Sequence, residues 1–232
     1  MLTRTRPVSQ DPIARHIALL GAELSGPWRV KKDLLREARH GLIDCAEAYR
    51  DEGLSEGEAA RRAVAEFGEP AEVAGEYQAE LAARQTFTAL AFVAAFGPVS
   101  EVFTRVMWSH SPAPHVHPRE FAFLLSRIVD WVGWGNSIVA VVLILSVGLQ
   151  ARWTTFRGTV ARAVGVGLMV VVVFHIVTGI ALTAMYHDPE PAGSWRFMDI
   201  ASNMIYPVAT AYAVWLAMRC LAVAQRVERL AL

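Results

Sequence analysis

The spacing of apolar residues changes character near residue 85. Before that point they recur every three or four positions with charges between them, the period of helices with one buried face. Asp11 is placed to cap a short helix that opens on Pro12 and aligns Ile13, Ile17, Leu20 and Leu24. A second helix is expected from about Pro27. Its stripe is Val30, Leu34, Ala38, Leu42, Cys45 and Tyr49, and Gly53 is suited to end it. Ser55 and Glu58 have capping-box spacing for a third helix, which would bury Ala59, Ala60, Ala63, Val64 and Phe67 and stop at Gly68. Glu69-Pro70 opens a fourth.

Beyond residue 85 the apolar residues come in four long runs: Thr86–Trp108, Ile128–Gln150, Val160–Tyr186 and Phe197–Ala224. A hydrocarbon core of about 30 Å is crossed by roughly 20 apolar residues in a helix, so each run is long enough to span. The expected fold is all-α: a helical domain over residues 1–84, then a four-helix transmembrane bundle over 85–232. Between Glu76 and Phe96 there is neither glycine nor proline, so the domain's last helix is expected to enter the membrane unbroken. From Pro70 to Trp108 it would form a rod of roughly 57 Å, with a kink at Gly97-Pro98.

Charge supports this division. Residues 1–84 hold 12 Lys+Arg and 15 Asp+Glu; subtracting from 22 of each leaves 10 and 7 for the remainder. Twenty of the 22 basic residues are arginine, which suggests a GC-rich, actinobacterial-type genome. The loop before the third run and that run's start carry Arg152, Arg157 and Arg162 with no acid. The tail carries Arg219, Arg226 and Arg229 against Glu228. The other two connections mix Arg119 and Arg196 with Glu120, Asp188, Glu190 and Asp199. By the positive-inside rule the chain is a multi-pass protein of the bacterial cytoplasmic membrane with both termini cytosolic. Trp108, Trp153 and Trp195 fall where interfacial belts belong. The first 30 residues lack an apolar core long enough for a signal peptide, so the amino-terminal domain is expected to stay in the cytosol. There a disulfide between Cys45 and Cys220 is not expected.

Residues Lys31–Ala74 resemble the HAAS-type, or permease-prefix, signalling domain of bacterial membrane proteins. The features that match are Asp33-Leu34-Leu35, Glu37, Leu42, Asp44, Glu47-Ala48, Gly53-Leu54-Ser55, Glu58-Ala59-Ala60, Arg62-Ala63 and Phe67-Gly68-Glu69-Pro70. Where that family reads Asp-His-Leu, this chain reads His40-Gly41-Leu42. The resemblance implies a cytosolic helical module on a variable membrane part, associated with PadR-like transcriptional regulators or with ABC-type permeases, and no enzymatic activity. On it, Asp33, Glu37, Asp44, Arg62 and Phe67 are the candidate partner-binding residues.

Candidate chemistry is sparse. His110, His115 and His117 share one connection, and His187, Asp188 and Glu190 another; such residues bind zinc or sense acid, but a proline-rich loop fixes no tetrahedron, so solvated loop residues are the expectation. Within the membrane runs the polar candidates are Glu101, Asn136, His175 and Asn203, with Tyr206. Glu101 and Arg105 are spaced to pair, and His175 is expected to make a structural hydrogen bond between helices. Direct nucleic-acid binding is not expected, because the domain is net acidic and phosphate recognition requires a basic surface. No catalytic, cofactor or metal motif is present. The sequence therefore points to a membrane-anchored regulatory protein that binds a PadR-like regulator, or to an accessory subunit of an ABC-type transporter. Self-association as a homo-oligomer is compatible with either.

Overall fold

The computed structural model describes residues 11–109, 120–149, 157–185 and 196–230. They form seven helices: α1 (Pro12–Glu23), α2 (Trp28–Asp51), α3 (Glu56–Phe67), α4 (Pro70–Ser109), α5 (Glu120–Leu149), α6 (Arg157–Met185) and α7 (Arg196–Leu230). Among the described residues there is no strand, and the fold is the all-α one that the apolar spacing implies.

The helix ends form where the sequence places them. The Ile13 amide donates to the Asp11 carboxylate at 3.0 Å, and Pro12 opens α1 without an amide to satisfy. Ser55 and Glu58 make the reciprocal capping box of α3. Gly53 and Gly68, the two residues with positive φ among those described (99° and 95°), take the turns after α2 and α3. An L side chain would be strained at either position.

The chain divides into two compact units. The first comprises Met1–Gln85, Thr154–Ala161 and Ala222–Leu232. Its core has two parts. Ile13, Leu42, Ala46, Ala59 and Ala63 form one where α1, α2 and α3 meet. Leu20, Leu24, Ala38, Ala74 and Leu81 form the other, where α4 joins them, and Leu230 at the end of α7 packs against it. Ile17 and Phe67 touch both parts. Full burial of each leucine contributes roughly 1.5–3 kcal/mol. A third, smaller cluster joins Ala82 of α4 to Ala161 of α6 and to Val223 and Ala224 of α7. Alanines here let helix backbones approach closely.

The second unit comprises Thr86–Trp153 and Arg162–Leu221. Ala89, Leu168, Val172, Ala213, Leu216, Ala217 and Cys220 form its core, with Phe92 packed against them. Small residues bring the helices together: a Cβ on Gly165 would lie 3.0 Å from Leu221, and one on Gly97 would lie 2.2 Å from the Ser137 hydroxyl. Four helices are long and apolar enough to cross a membrane, over Pro70–Val106, Phe123–Ser146, Gly158–Leu182 and Met204–Leu230. At most 33% of any of their apolar windows is buried inside the protein. Val139, Val142 and Leu145 of α5 and Val170, Val173, Val177 and Ile180 of α6 are all exposed. So much outward apolar surface is stable against lipid chains and not against water.

Two helices extend well beyond their apolar runs. Helix α5 begins at Glu120, eight residues before Ile128, because nothing between Pro118 and Gly133 breaks a helix. Helix α7 continues past Ala224 to Leu230, since its polar last turns still bury one side against the first unit.

Candidate functional site

Four of the five candidate partner-binding residues fall on two faces. At 100° per residue, Asp33, Glu37, Asp44, Glu47 and Asp51 lie along one side of α2, with His40 among them. All six are exposed, and the buried Ala38, Leu42 and Ala46 lie on the opposite side. Arginines border this acidic stripe, with Arg36 3.1 Å from Asp33 and Arg50 3.7 Å from Glu47. Both pairs are exposed and add little stability, so the carboxylates remain open to a partner. Asp33, Glu37 and Asp44 thus belong to one surface, and Glu47 and Asp51 extend it.

Arg62 belongs to a different surface. It lies over the Tyr49 ring, 5.8 Å from its centroid, and the Tyr49 hydroxyl donates to Glu66 on the next turn of α3. Tyr49, Arg62, Ala65 and Glu66 line a shallow, open depression. That hydrogen bond raises the Tyr49 pKa above the usual phenol value. Desolvation, then the Glu66 charge, raises that of the Cys45 thiol, which donates to Glu66 at 3.7 Å. A thiol held protonated is a poor nucleophile. Phe67 is neither on this surface nor on the stripe: it packs edge-on against His16 at 5.5 Å and beside Tyr77 at 6.5 Å, joining α3 to α1 and α4.

A clamp that the apolar spacing does not reveal ties these helices to α4. Gln78 is fully buried. Its carbonyl oxygen accepts from the Ser25 amide at 2.9 Å, and its amide nitrogen donates to the Ser25 carbonyl at 2.7 Å. One side chain therefore satisfies both backbone groups of the turn between α1 and α2. Gly26 fits against Leu81 in the same place, where a Cβ would lie 3.3 Å from its side chain. A glutamine at a position where helical period calls for an apolar residue was the available signal.

In the membrane half, Glu101 and Arg105 pair at 2.7 Å as their spacing implies. The neighbouring Thr104 hydroxyl lies 3.1 Å from that of Tyr206 on α7. Asp130 of α5 is near enough to Glu101, Arg127 and Arg105 for their charges to interact, an acid that the apolar-run reading passed over. Asn136 keeps a buried side-chain nitrogen with no hydrogen-bond partner among the described residues. Its neighbour Ser137 donates to the Val93 carbonyl of α4 at 3.2 Å and to the Gly133 carbonyl at 3.1 Å. Val93 is one residue before Ala94, whose carbonyl Pro98 cannot serve; Pro98 lies inside α4. His175 differs from the expectation of a bond between helices. Its Nδ1 lies 2.8 Å from the Val171 carbonyl of its own helix, one turn back. A ring at that offset satisfies itself locally.

Asn203 lies within α7 but its side chain is outside those described, as are His110, His115, His117, His187, Asp188, Glu190, Trp153 and Trp195 and the side chain of Trp108. Among the described residues no three His, Cys, Asp or Glu side chains are grouped to hold a metal ion. Compared with protein-family models, curated proteins and solved structures, the chain matches none.

Proposed function

We propose that the chain is a membrane-anchored regulatory protein of the bacterial cytoplasmic membrane, with both termini in the cytosol, whose amino-terminal domain binds a cytosolic protein. The resemblance of Lys31–Ala74 to HAAS-type domains favours a PadR-like transcriptional regulator as that protein. The observation that carries the reading is the acidic stripe of α2: five exposed carboxylates on the side of the helix opposite its buried face. Such a surface suits a partner with a basic face, which a DNA-binding regulator possesses. Its own charge makes it a poor ligand for nucleic acid.

The membrane part would then act as anchor and as sensor. Helix α4 contributes Ala74 and Leu81 to the first unit's core and continues to Ser109. The ends of α6 and α7 pack beside it at Ala82. A change in the membrane helices would therefore reach the amino-terminal core through several helix ends at once.

Affinity capture of the full-length protein from gently solubilised membranes tests the reading. A PadR-like protein should co-purify, and Glu37→Lys with Asp44→Lys should abolish its recovery while membrane insertion is unchanged. Recovery of an ABC-type ATPase instead, undiminished by those substitutions, would favour a transport-accessory role. If the helicity and melting of the double variant are those of the wild type, loss of capture cannot be assigned to unfolding.

A further inference from the structure

Trp28 stands at the start of α2 with 65% of its surface exposed, an unusual state for the largest side chain in a domain that has a core to bury it. Two cations flank its ring: the Arg29 guanidinium at 5.7 Å from the centroid and the Lys32 ammonium at 5.9 Å. Both are exposed, and among the described residues neither has an acid partner. Lys31, by contrast, donates to the Leu24 carbonyl at 2.8 Å and so closes the end of α1. Basic residues in the first turn of a helix oppose its dipole, and α2 has neither an acid in that turn nor a side-chain cap to offset them. The dipole of α2 therefore does not account for Arg29, nor any ion pair among the described residues for Lys32.

Their position along α4 does. Ser25 is held by Gln78 and Gly26 sits on Leu81, so the residues just before Trp28 are level with that stretch of α4. Farther along α2, Ala38 packs in the cluster that holds Ala74. Trp28 follows Gly26 by two residues and so begins α2 beside the Leu81 stretch of α4. From Leu81 to Thr86, where that run starts, is about 7 Å of helix. A headgroup layer is roughly 5–8 Å thick. Leu230, in the last turn of the membrane helix α7, packs against the same cluster as Leu24 and Leu81. Indole rings with basic neighbours favour this layer, where the ring meets the carbonyl region and the cations meet phosphate.

We infer that Trp28, Arg29 and Lys32 form an interfacial foot that docks the amino-terminal domain onto anionic lipid headgroups. The foot lies at the opposite end of α2 from Asp44, Glu47 and Asp51. It requires that α4 cross the bilayer but is independent of any protein partner, so failure of partner capture leaves it standing.

The test compares the full-length protein in bilayers of phosphatidylcholine with and without phosphatidylglycerol. The Trp28 signal is obtained as the difference in tryptophan emission between wild type and Trp28→Phe. With phosphatidylglycerol, this signal should be shielded from aqueous acrylamide and quenched by lipids brominated near the headgroup. Arg29→Gln with Lys32→Gln, which keeps Trp28, should shift the docked-to-free ratio by roughly thirtyfold, about fivefold per cation, and high salt should do the same. Acrylamide access that is equal in both bilayers would overturn the proposal and leave this face for a protein. Shielding equal in both, and unchanged in the double variant, would overturn the anionic headgroup as its ligand.

Discussion

The two halves of this protein solve the same packing problem in opposite solvents. In the amino-terminal domain the apolar side chains face inward, and charges cover the outside. Leu42 is 1% exposed, and the acidic stripe of α2 lies behind it. In the membrane half the large apolar side chains face outward: Val170, at mid-length of α6, is 62% exposed. Inside, small residues such as Ala89, Ala213 and Ala217 pack beside Leu168, Val172 and Leu216. The contrast follows from what drives each half together. Water expels large apolar side chains into a core. Lipid has no such preference, so helices associate through close contact of small residues and through hydrogen bonds that avoid lipid.

Exchanging the rules between the halves should therefore have the largest effects. Leu42→Ala should lower the stability of the amino-terminal domain by about 2–5 kcal/mol, read as a shift in its chemical-denaturation midpoint. Val170→Ala, a similar truncation at an exposed lipid-facing site, should leave stability nearly unchanged. Val170→Arg should instead impair insertion, at about 2.5–3.5 kcal/mol in an insertion assay. Equal costs for the two truncations would contradict the inverted packing.

The next effects come from single contacts. Gln78→Ala should cost about 1–3 kcal/mol for the buried backbone groups it leaves unpaired, and the turn at Ser25 should show faster amide exchange. Gly97→Val should cost about 1–3 kcal/mol by forcing α4 away from Ser137 and the Gly133 carbonyl, measured as a lower melting temperature in detergent. Ser55→Ala removes a cap of about 1 kcal/mol and should fray α3 alone.

The smallest effect is one of pH. Burial lowers the His16 pKa below its ordinary 6.5, and the Glu69 charge opposes this. The unfolded chain then binds the proton more readily than the folded one. Stability should be full above about pH 6.5 and decline as pH falls from there to the folded pKa. His16→Met should flatten that part of the stability–pH profile; an unchanged slope would assign it to other groups.

Much of this was legible in the chain. Asp11, Gly53, Ser55, Glu58 and Gly68 each specify a helix end through local chemistry, and local chemistry is readable without a fold. The membrane runs are readable because span length is set by the bilayer. Contacts between distant segments were not. Gln78 looks like any polar residue until Ser25 is placed beside it. Leu230 lies past the last apolar run, and its docking against the cluster that holds Leu20 and Leu81 depends on where the helices arrive in space. Arg62 and Asp44 are candidates of equal standing in sequence, yet α2 and α3 turn them to different surfaces. His175 shows the reverse limit, because a polar group within a membrane run invites a partner on another helix, while the carbonyl one turn back was already in reach.

The central structural claim is that α4 is a single helix joining the amino-terminal core to the membrane run. Amide hydrogen exchange of the full-length protein in lipid bilayers tests it at the interface. The account predicts continuous protection from Tyr77 through Phe87, lost locally when Ala83→Gly and Phe87→Gly are introduced at about 1 kcal/mol of helix propensity each. A rapidly exchanging gap between Arg84 and Thr88 in the wild type would contradict it, and the amino-terminal domain would then be a module on a flexible tether.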